Sequence, residues 1–576
     1  MNNVTIKCLN DGREYEIGPG MTLSSLAKNT GGTVKDPKTG AEYPILAAYV
    51  DHKLKELTYA MFYPHDVEFI GYNTLDGKRC YTRSLSFLLQ AAVREALPGK
   101  VLVIDHSLPS GFYCEILSPG EGNAHSSVYP VSDEEIGAMM AVMKRKVEED
   151  IPFRKEKILA EKAEKIFEAN LQPFKSELHK SLGRYFCSIY YLGDDMDSFH
   201  GPLLPSTGYL HTFNLLPFGK GFCLQYPSDT DYHKVIPYRE QSKMAATLAD
   251  YSSWCRATGI IGVSTLNKTL LGGGAVNLIN LCEARQERKY AAVADRIFEE
   301  KDRVRIVFIA GPSSSGKTSS SLRIAQQCRI LGMNPKVIEL DNYFVNRTET
   351  PRDEDGNYDY ECLEAMDLKL LGDTLNALLA GDTVEIPRYD FKAGEKKWEG
   401  NRMTLGDEDI LIMEGIHALD PAMVPDVDQS RIFRVYASAL TSLNLDENNN
   451  ISTSDNRMLR RMVRDYNYRG HTPENTILGW PSVRRGENKY IFPFQENADV
   501  LFNSALLYEL PLLKYYAEPL LRRIHPNSPA YSEAVRLLKF LEYIVALTPS
   551  EIAAIPPTSI LREFIGGQTL QACSRN

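Results

Sequence analysis

The sequence predicts a multidomain chain of α/β and α+β modules, with a parallel sheet in its carboxyl-terminal half. The 576 residues exceed what one hydrophobic core usually holds, since domains typically have about 100 to 200 residues. Short apolar runs alternate with turn signals over residues 3–71, which favours strands. At residues 305–330 an apolar strand runs into a glycine-containing loop and then a helix, the order typical of parallel α/β sheets.

Residues 1–72 predict a small β-rich module. The segments VTIKCL, EYEI, ILAAYVD and HDVEFIGY have strand character and are separated by turn signals such as NDG. Between them, TLSSLAKN has the spacing of a short helix. This pattern is typical of a ubiquitin-like β-grasp module.

Residues 73–265 predict an α+β domain. The segment RSLSFLLQAAVREAL has helical spacing and ends at Pro98-Gly99, after which VLVIDH forms a predicted strand. The Lys- and Glu-rich stretch from Ser132 to about Leu182 predicts two helices. Strand-like runs return at CSIYYL and FCLQYP.

The carboxyl-terminal half begins after a helical linker, residues 266–303, with the boundary placed near Asp302. Residues 304–510 contain the apolar runs expected of a parallel sheet. Residues 511–576, with LLKYYAEPLLRRI and SEAVRLLKFLEYIVAL, predict a helical appendix.

Composition narrows the classes of function. The net charge is −10 and the pI about 5.7, so no overall positive field favours nucleic acid, which remains possible through a local patch but is not expected as substrate. The 10 cysteines form no CxxC pair, so zinc-finger spacing is absent. The sequence has neither a basic start followed by an apolar run nor about 18 consecutive apolar residues, which predicts a cytoplasmic protein with no membrane partner.

The strongest signal is GPSSSGKT, which lies between the strand RIVFIA and the helix SSSLRIAQQCRIL. Small residues let successive backbone N–H groups point at phosphates, and the helix amino terminus adds positive potential. Lys317 would reach the β- and γ-phosphates of a nucleotide, and the Thr318 hydroxyl would ligate Mg²⁺. We therefore expect ATP to be bound by eight residues: Gly311, Ser313, Ser314, Ser315, Gly316, Lys317, Thr318 and Ser319.

Two carboxylates follow later strands, and ligands bind at the carboxyl ends of strands in open α/β sheets. PKVIELDNYF delivers Asp341, which could accept the proton of an attacking hydroxyl or hold a metal-bound water. DILIMEGIHAL places Glu414 where an acid could help to organise Mg²⁺.

A basic segment, RRMVRDYNYRG, carries four arginines at helical spacing: Arg460, Arg461, Arg464 and Arg469. Beside a phosphate loop, such a helix is expected to close over the transferring phosphoryl group, because the developing charge needs donors.

Over residues 304–510 the sequence resembles the uridine kinase and phosphoribulokinase family of P-loop kinases. The resemblance rests on GPSSSGKT, DNYF, YDYE, IPRYDF, IMEGIHAL and the R-R-x-x-R-D-x-x-x-R-G segment, in that order. It departs from uridine kinases at Gly394, where they typically carry a base-contacting His, and at His471, where they carry Arg.

The resemblance implies roles for individual residues. Asp341 would act as base on a sugar 5′-hydroxyl and Glu414 would help to organise Mg²⁺. The catalytic set would be Asp341, Lys317, Arg464 and Arg469, and the substrate-binding set would be Asp359, Tyr389, Tyr343 and Arg461, with Arg461, Arg464 and Arg469 forming a lid.

The amino-terminal half resembles parts of threonyl-tRNA synthetases: residues 1–72 the TGS module, and residues 73–265 the editing domain. The resemblance to the editing domain rests on the segments RSLSFLLQAAVREALPGKV, SGFYCEI and SFHGPLLPSTGYLHTFNLL. In the synthetases, H-x-x-x-H and C-x-x-x-H elements form a polar cluster. Here those four positions are Arg83, Phe87, Phe199 and Leu203. Two aromatic rings and a leucine neither ligate a metal nor activate water, so we expect a retained fold that is catalytically inactive.

Three functions follow from the sequence. The leading one is an Mg²⁺- and ATP-dependent nucleoside kinase acting on uridine or a relative, with homo-oligomers expected. The second is a kinase of another small hydroxyl acceptor, such as a pentose phosphate or a pantothenate-like alcohol. The third is an ATP-dependent switch associated with RNA or the ribosome.

Overall fold

We describe the protein from a computed structural model, which covers residues 3–118, 127–229, 231–353, 356, 358–441 and 443–571. The last five residues of the predicted appendix, with Cys573, lie outside the described residues.

The amino-terminal module contains a five-stranded sheet of order β2-β1-β9-β6-β7, in which β1 and β9 are parallel. Its elements are β1 (Val4–Cys8), β2 (Glu14–Ile17), β3 (Met21–Thr22), α1 (Leu23–Asn29), β4 (Thr33–Lys35), β5 (Glu42–Pro44), β6 (Ala47–Val50), β7 (Lys53–Lys55), β8 (Ala60–Met61) and β9 (His65–Ile70). Thr22 caps α1 by accepting a hydrogen bond from the Ser25 N–H. The alternate residues Val4, Ile6 and Cys8 are buried on one face of β1, as the pleat of a half-exposed sheet requires.

The next part of the chain places helices against two antiparallel sheets, of order β10-β11-β17-β16 and β13-β14-β15. Its elements are α2 (Leu75–Ala96), β10 (Val101–Leu108), β11 (Gly111–Ser118), β12 (Ser127–Tyr129), α3 (Asp133–Glu148), β13 (Phe153–Leu159), α4 (Ala160–Ala169), α5 (Pro173–Ser181), β14 (Phe186–Leu192), β15 (Asp195–Asp197), β16 (Asn214–Phe218) and β17 (Gly221–Gln225). Helix α2 begins at Leu75, earlier than its predicted segment, because Thr74 caps it through the Gly77 N–H.

The prediction of two helices between Ser132 and Leu182 is wrong. The structure has α3, α4 and α5, and the strand β13 separates α3 from α4. Every residue of β13 pairs with β14 in an antiparallel ladder, and Phe153 and Ile158 are buried. Alternating Lys and Glu suit a helix surface, but here a distant strand partner decides the conformation.

The parallel sheet has the order β19-β24-β18-β25-β26, and all its strands run in one direction. Its region contains β18 (Ile306–Ala310), α9 (Lys317–Ile330), β19 (Asn334–Glu339), α10 (Leu368–Leu379), β20 (Val384–Glu385), β21 (Arg388–Asp390), β22 (Glu395–Lys397), β23 (Arg402–Met403), β24 (Asp409–Glu414), β25 (Ile432–Ser438), α11 (Thr453–Tyr468), α12 (Pro473–Tyr490) and β26 (Val500–Asn503). Strand β18 is buried along its whole length, as a central parallel strand covered on both faces must be.

Helices before and after the parallel sheet share one hydrophobic core. They are α6 (Ser242–Thr258), α7 (Val263–Leu271), α8 (Ala275–Glu299), α13 (Glu509–Leu521), α14 (Tyr531–Leu541), α15 (Pro549–Ala553) and α16 (Arg562–Ile565). Residues of these helices and of α11 and α12 form a single buried cluster that includes Leu266, Ile279, Leu459 and Leu513. The predicted linker and appendix therefore pack together against the basic helix α11.

Buried polar contacts also tie the amino-terminal half to the rest. The loop from Asn444 to Asn450, between β25 and α11, lies against residues of the editing-like region: the Asn448 side chain donates to Gln90 at 2.6 Å and to Asp197 at 2.9 Å. A second connection joins Arg79 of α2 to Glu533 of α14. No helix in the part of the chain that the structure describes is both long and apolar enough to cross a membrane.

Candidate functional site

Three strands bring the predicted chemical groups to one edge of the parallel sheet. The loop 311–316 follows β18, Glu414 ends β24, and Asp341 lies in a 3-10 turn directly after β19. Glu339 pairs with Glu414, and Ile309 also pairs with Glu414. The carboxyl ends of neighbouring parallel strands thus place Lys317, Asp341 and Glu414 together.

The loop 311–316 has the backbone of a phosphate cradle. Ser314 and Gly316 have positive φ, 57° and 86°, and a Cβ on Gly311 would lie 2.0 Å from the Ala437 carbonyl oxygen. The hydroxyls of Ser314 and Ser315 are buried and have no hydrogen-bond partner. Buried polar atoms are normally satisfied, so these two fit a ligand that supplies oxygen acceptors, such as a phosphate.

Thr318 and Glu414 form the candidate magnesium site. The Thr318 hydroxyl donates to Glu414 Oε1 at 2.5 Å. Mg²⁺ prefers oxygen ligands and is commonly held by one or two protein groups together with substrate phosphates, so this pair fits it. Lys317, at the start of α9, donates to the Gly311 carbonyl oxygen at 3.0 Å.

Burial sets the charge state of the two carboxylates. It raises the pKa of Glu414 to about 7, with the neighbouring Asp341 raising it further and Lys317 opposing the shift. Burial likewise raises the pKa of Asp341 to about 6, again opposed by Lys317. A carboxyl group with a pKa near neutrality is suited to proton transfer.

The basic helix α11 divides its arginines between packing and the site. Arg460, which the helical spacing grouped with the other three arginines, is fully buried and pairs with Glu509. It also donates to the carbonyl oxygens of Ser314 and Ser315 in the loop, at 3.4 and 3.3 Å. Arg461 donates to the Ser313 hydroxyl at 2.8 Å. Arg464 and Arg469 both pair with Asp465, and the charge of Arg469 also acts to lower the pKa of Asp341.

The expected substrate-binding residues other than Arg461 lie in the part of the chain between β19 and β22. Tyr389 is buried, its hydroxyl has no partner, and its ring contacts Phe344 and Phe391. Asp359 accepts a hydrogen bond from the Glu361 N–H at 3.0 Å. Tyr343 is fully buried in the same hydrophobic cluster as Tyr389, and its hydroxyl has no hydrogen-bond partner among the described residues.

Two residues beside these groups, Glu361 and Arg347, were not predicted from the sequence. Burial, with the nearby Glu487, raises the pKa of Glu361 to about 7, while Arg461 and Lys317 oppose the shift. Arg347 packs against Gly394, where a Cβ would lie 2.7 Å from its guanidinium carbon, and Arg347 donates to the Phe391 carbonyl oxygen at 2.7 Å. One signal for Arg347 was present in the sequence: the glycine at position 394 leaves space for a neighbouring side chain but does not identify it.

The four positions that correspond to the polar cluster of the synthetases lie close together, and apolar side chains occupy three of them. Phe87 and Phe199 have ring centroids 5.4 Å apart, and Leu203 is buried with them. Arg83 donates to the Pro202 carbonyl oxygen at 2.6 Å. Among the residues that the structure describes, no group of three or more His, Cys, Asp or Glu is placed to hold a metal ion.

Comparison with known proteins gives relatives for both halves. A model of the phosphoribulokinase/uridine kinase family matches residues 306–506. A uridine kinase of Macrococcus caseolyticus is 32% identical over 197 residues, 34% of this chain and 86% of that protein. A uridine kinase of Halobacterium salinarum is 30% identical over 195 residues, 34% of this chain and 77% of that protein. A threonine–tRNA ligase of Rubrobacter xylanophilus is 28% identical over 207 residues in the amino-terminal region, 36% of this chain but 30% of that protein.

Proposed function

Because the chain belongs to the phosphoribulokinase/uridine kinase family, and is thereby a phosphotransferase, we propose that it phosphorylates the 5′-hydroxyl of uridine or a related nucleoside with ATP. The observation that carries the proposal is the meeting of Lys317, Asp341 and the Thr318–Glu414 pair at one sheet edge. A cradle, a base and a metal carboxylate are the parts that phosphoryl transfer requires.

In the proposed reaction the phosphates of ATP lie along the N–H groups of residues 311–319. Asp341 accepts the proton of the attacking hydroxyl, whose oxygen forms the new bond to the γ-phosphorus as the bond to ADP breaks. Lys317, Arg464 and Arg469 donate to the phosphoryl oxygens as charge develops. Mg²⁺, held by Thr318 and Glu414, would neutralise charge on the phosphates when bound.

On the acceptor side, Asp359 and Arg461 are proposed to hold the ribose and Tyr389 the base. The unpartnered Tyr389 hydroxyl supports a ligand hydrogen bond there. Arg347 lies close to Gly394, where uridine kinases typically place a base-contacting His, so this chain offers a guanidinium in that space. A guanidinium has only donors, which suits carbonyl-bearing bases such as uracil.

The test is a panel of nucleosides with ATP and Mg²⁺, in which the phosphorylated product is identified by mass. We expect uridine or a close relative to give a 5′-monophosphate. Lys317→Ala should lower turnover about 10³-fold, because the ammonium serves developing charge rather than packing. Its thermal melt serves as the folding control, and its loss of activity excludes a contaminating kinase.

Three outcomes would contradict the proposal. Product from a pentose phosphate or a pantothenate-like alcohol alone would assign the second function. RNA-dependent ADP release without a phosphorylated small product would assign the switch. Wild-type turnover in folded Lys317→Ala would remove the loop from the reaction.

A further inference from the structure

The carboxyl-terminal segment, residues 555–571, lies on the phosphate loop. Its helix α16 packs against α11. A Cβ on Gly316 would come within 2.3 Å of Ile560 Cδ1, so this side chain already fills the space beside the glycine. The fully buried Phe564 lies under the Arg460 guanidinium, 5.0 Å from ring centroid to carbon. This segment lies outside the 306–506 match to the family.

Glu563 of this segment takes donors that a nucleotide would need. Its Oε2 accepts from the Ser319 N–H at 3.2 Å and from the Ser319 hydroxyl at 2.6 Å. Gln568 also reaches Ser319, donating to its hydroxyl at 2.7 Å. Ser319 lies in the first turn of α9, a helix of 14 residues, where the unpaired N–H groups and the helix dipole favour an anion.

The contact between Glu563 and Ser319 consists of hydrogen bonds from Ser319 and the favourable dipole of α9. Among the described residues, Glu563 forms no ion pair, so its charge is balanced by the Ser319 donors and the end of α9. Glu487, on the other side of the loop, differs: it accepts from the Ser313 N–H at 3.1 Å but is fully buried and held by Arg457 and Arg484. Glu563 is half-buried and has no such arginine partner among the described residues, so it loses fewer interactions than Glu487 when it leaves.

A phosphate and the Glu563 carboxylate compete for the same two donors and repel each other at that distance. The rest of the loop is also in a self-bonded state, because Lys317 donates to loop carbonyl oxygens. We propose that residues 555–571 inhibit the nucleotide site from within the chain, and that Glu563 must leave Ser319 before the phosphates of ATP bind. The proposal rests on the proposed function only in that ATP is the ligand of the loop.

The consequence is a reduced apparent affinity. ATP binds only the fraction of molecules in which the segment has moved away, so any change that weakens the Glu563 contact tightens nucleotide binding. Since α16 packs on α11, release of the segment also changes what the basic helix contacts. Arg469 interacts electrostatically with Glu563 and would lose this interaction when the segment is released.

The experiment measures ATP binding to the full chain by calorimetry, with Mg²⁺ and without an acceptor. Glu563→Gln keeps the shape of the side chain and removes its charge, and we expect the Kd for ATP to fall about tenfold, within the usual range of coupling between sites. Ile560→Ala, which opens the space beside Gly316, should also lower the Kd. The matched control is Glu518→Gln, which removes an equal charge from α13, where Glu518 pairs with the exposed Arg522, and should leave the Kd unchanged.

A second measurement uses the wild-type chain and so does not depend on a variant folding. Amide hydrogen exchange over residues 559–568 should become faster when a non-hydrolysable ATP analogue saturates the site. An unchanged or larger Kd in folded Glu563→Gln, or slower exchange on binding, would overturn the proposal. If neither the wild type nor Glu563→Gln binds ATP, both this proposal and the proposed function fail. If ATP binds as expected but no nucleoside is phosphorylated, only the proposed function fails.

Discussion

At the scale of single residues, the site depends on carboxylates whose pKa values differ from those of free side chains. Asp341 lies in the turn after β19, and burial raises its pKa to about 6. A base must be deprotonated to accept a proton, so the reaction loses its base as the pH falls through this value. The raised pKa also makes the conjugate acid a competent donor in the reverse reaction.

We predict that Asp341→Asn lowers kcat about 10²- to 10⁴-fold while the Kd for ATP changes little, because the amide keeps the shape but cannot take a proton. In the wild type, kcat/KM for the acceptor should fall below about pH 6 and level off above it, and the variant should lack this limb. Steady-state rates across pH, with ATP binding by calorimetry, check both points. Asp382→Asn, at an exposed position, is the control. An equal loss of ATP affinity would make Asp341 a metal-organising residue instead.

Residues that follow a strand could be found from the sequence, and residues that act across the chain could not. Asp341 and Glu414 follow apolar runs, and Lys317 follows one after the loop 311–316, so local pattern predicts their place at the sheet edge. Arg460 lies on the same predicted basic helix as Arg461 and Arg464, yet it pairs with Glu509, which is 49 residues away in the sequence. Glu563 contacts Ser319 across 244 residues. Local periodicity carries no information on such pairs, because tertiary packing selects them.

At the scale of elements, the loop 444–450 is the piece that links α11 to the amino-terminal half. Glu447 accepts from the Phe174 N–H at 2.9 Å and the Lys175 N–H at 3.2 Å, at the start of α5. Lys175 is fully buried and pairs with Asp197 and, at 3.5 Å, with Asp446. Burial alone would lower the pKa of Lys175, but the surrounding carboxylates raise it overall.

We predict that Lys175→Met destabilises the chain by about 3 to 5 kcal/mol, because it leaves buried carboxylates without their cation. Lys180→Met on the same helix removes an exposed pair with Glu168 and should cost about 1 kcal/mol or less. Urea denaturation, fitted with a common m-value, measures the free energy of unfolding of both variants. Since the loop leads into α11, turnover should fall further in Lys175→Met than in Lys180→Met. Equal midpoints for the two variants would show that the buried cluster does not hold the loop.

At the scale of the whole molecule, the two halves share buried surface instead of meeting at a flexible linker. Leu108 of β10 and Leu248 of α6 lie in the same hydrophobic cluster as Phe308 of the parallel sheet. Arg79 of α2 and Arg536 of α14 meet at Glu533, and Arg536 also binds Asp455 of α11. The editing-like half therefore supports the helices that frame the candidate active site.

The last prediction concerns chemistry in that half. We predict that the full chain binds no stoichiometric zinc through residues 73–265 and does not deacylate seryl-tRNA. Phe87, Phe199 and Leu203 pack against one another, and Arg83 is bonded to a backbone carbonyl, so the four positions present neither metal ligands nor a base for water. Elemental analysis of the purified full chain and a deacylation assay measure the two claims. A threonyl-tRNA synthetase run in parallel is the positive control for both assays. One zinc per chain that is lost on substitution within residues 73–265, or deacylation above background, would show that other side chains have replaced the missing cluster.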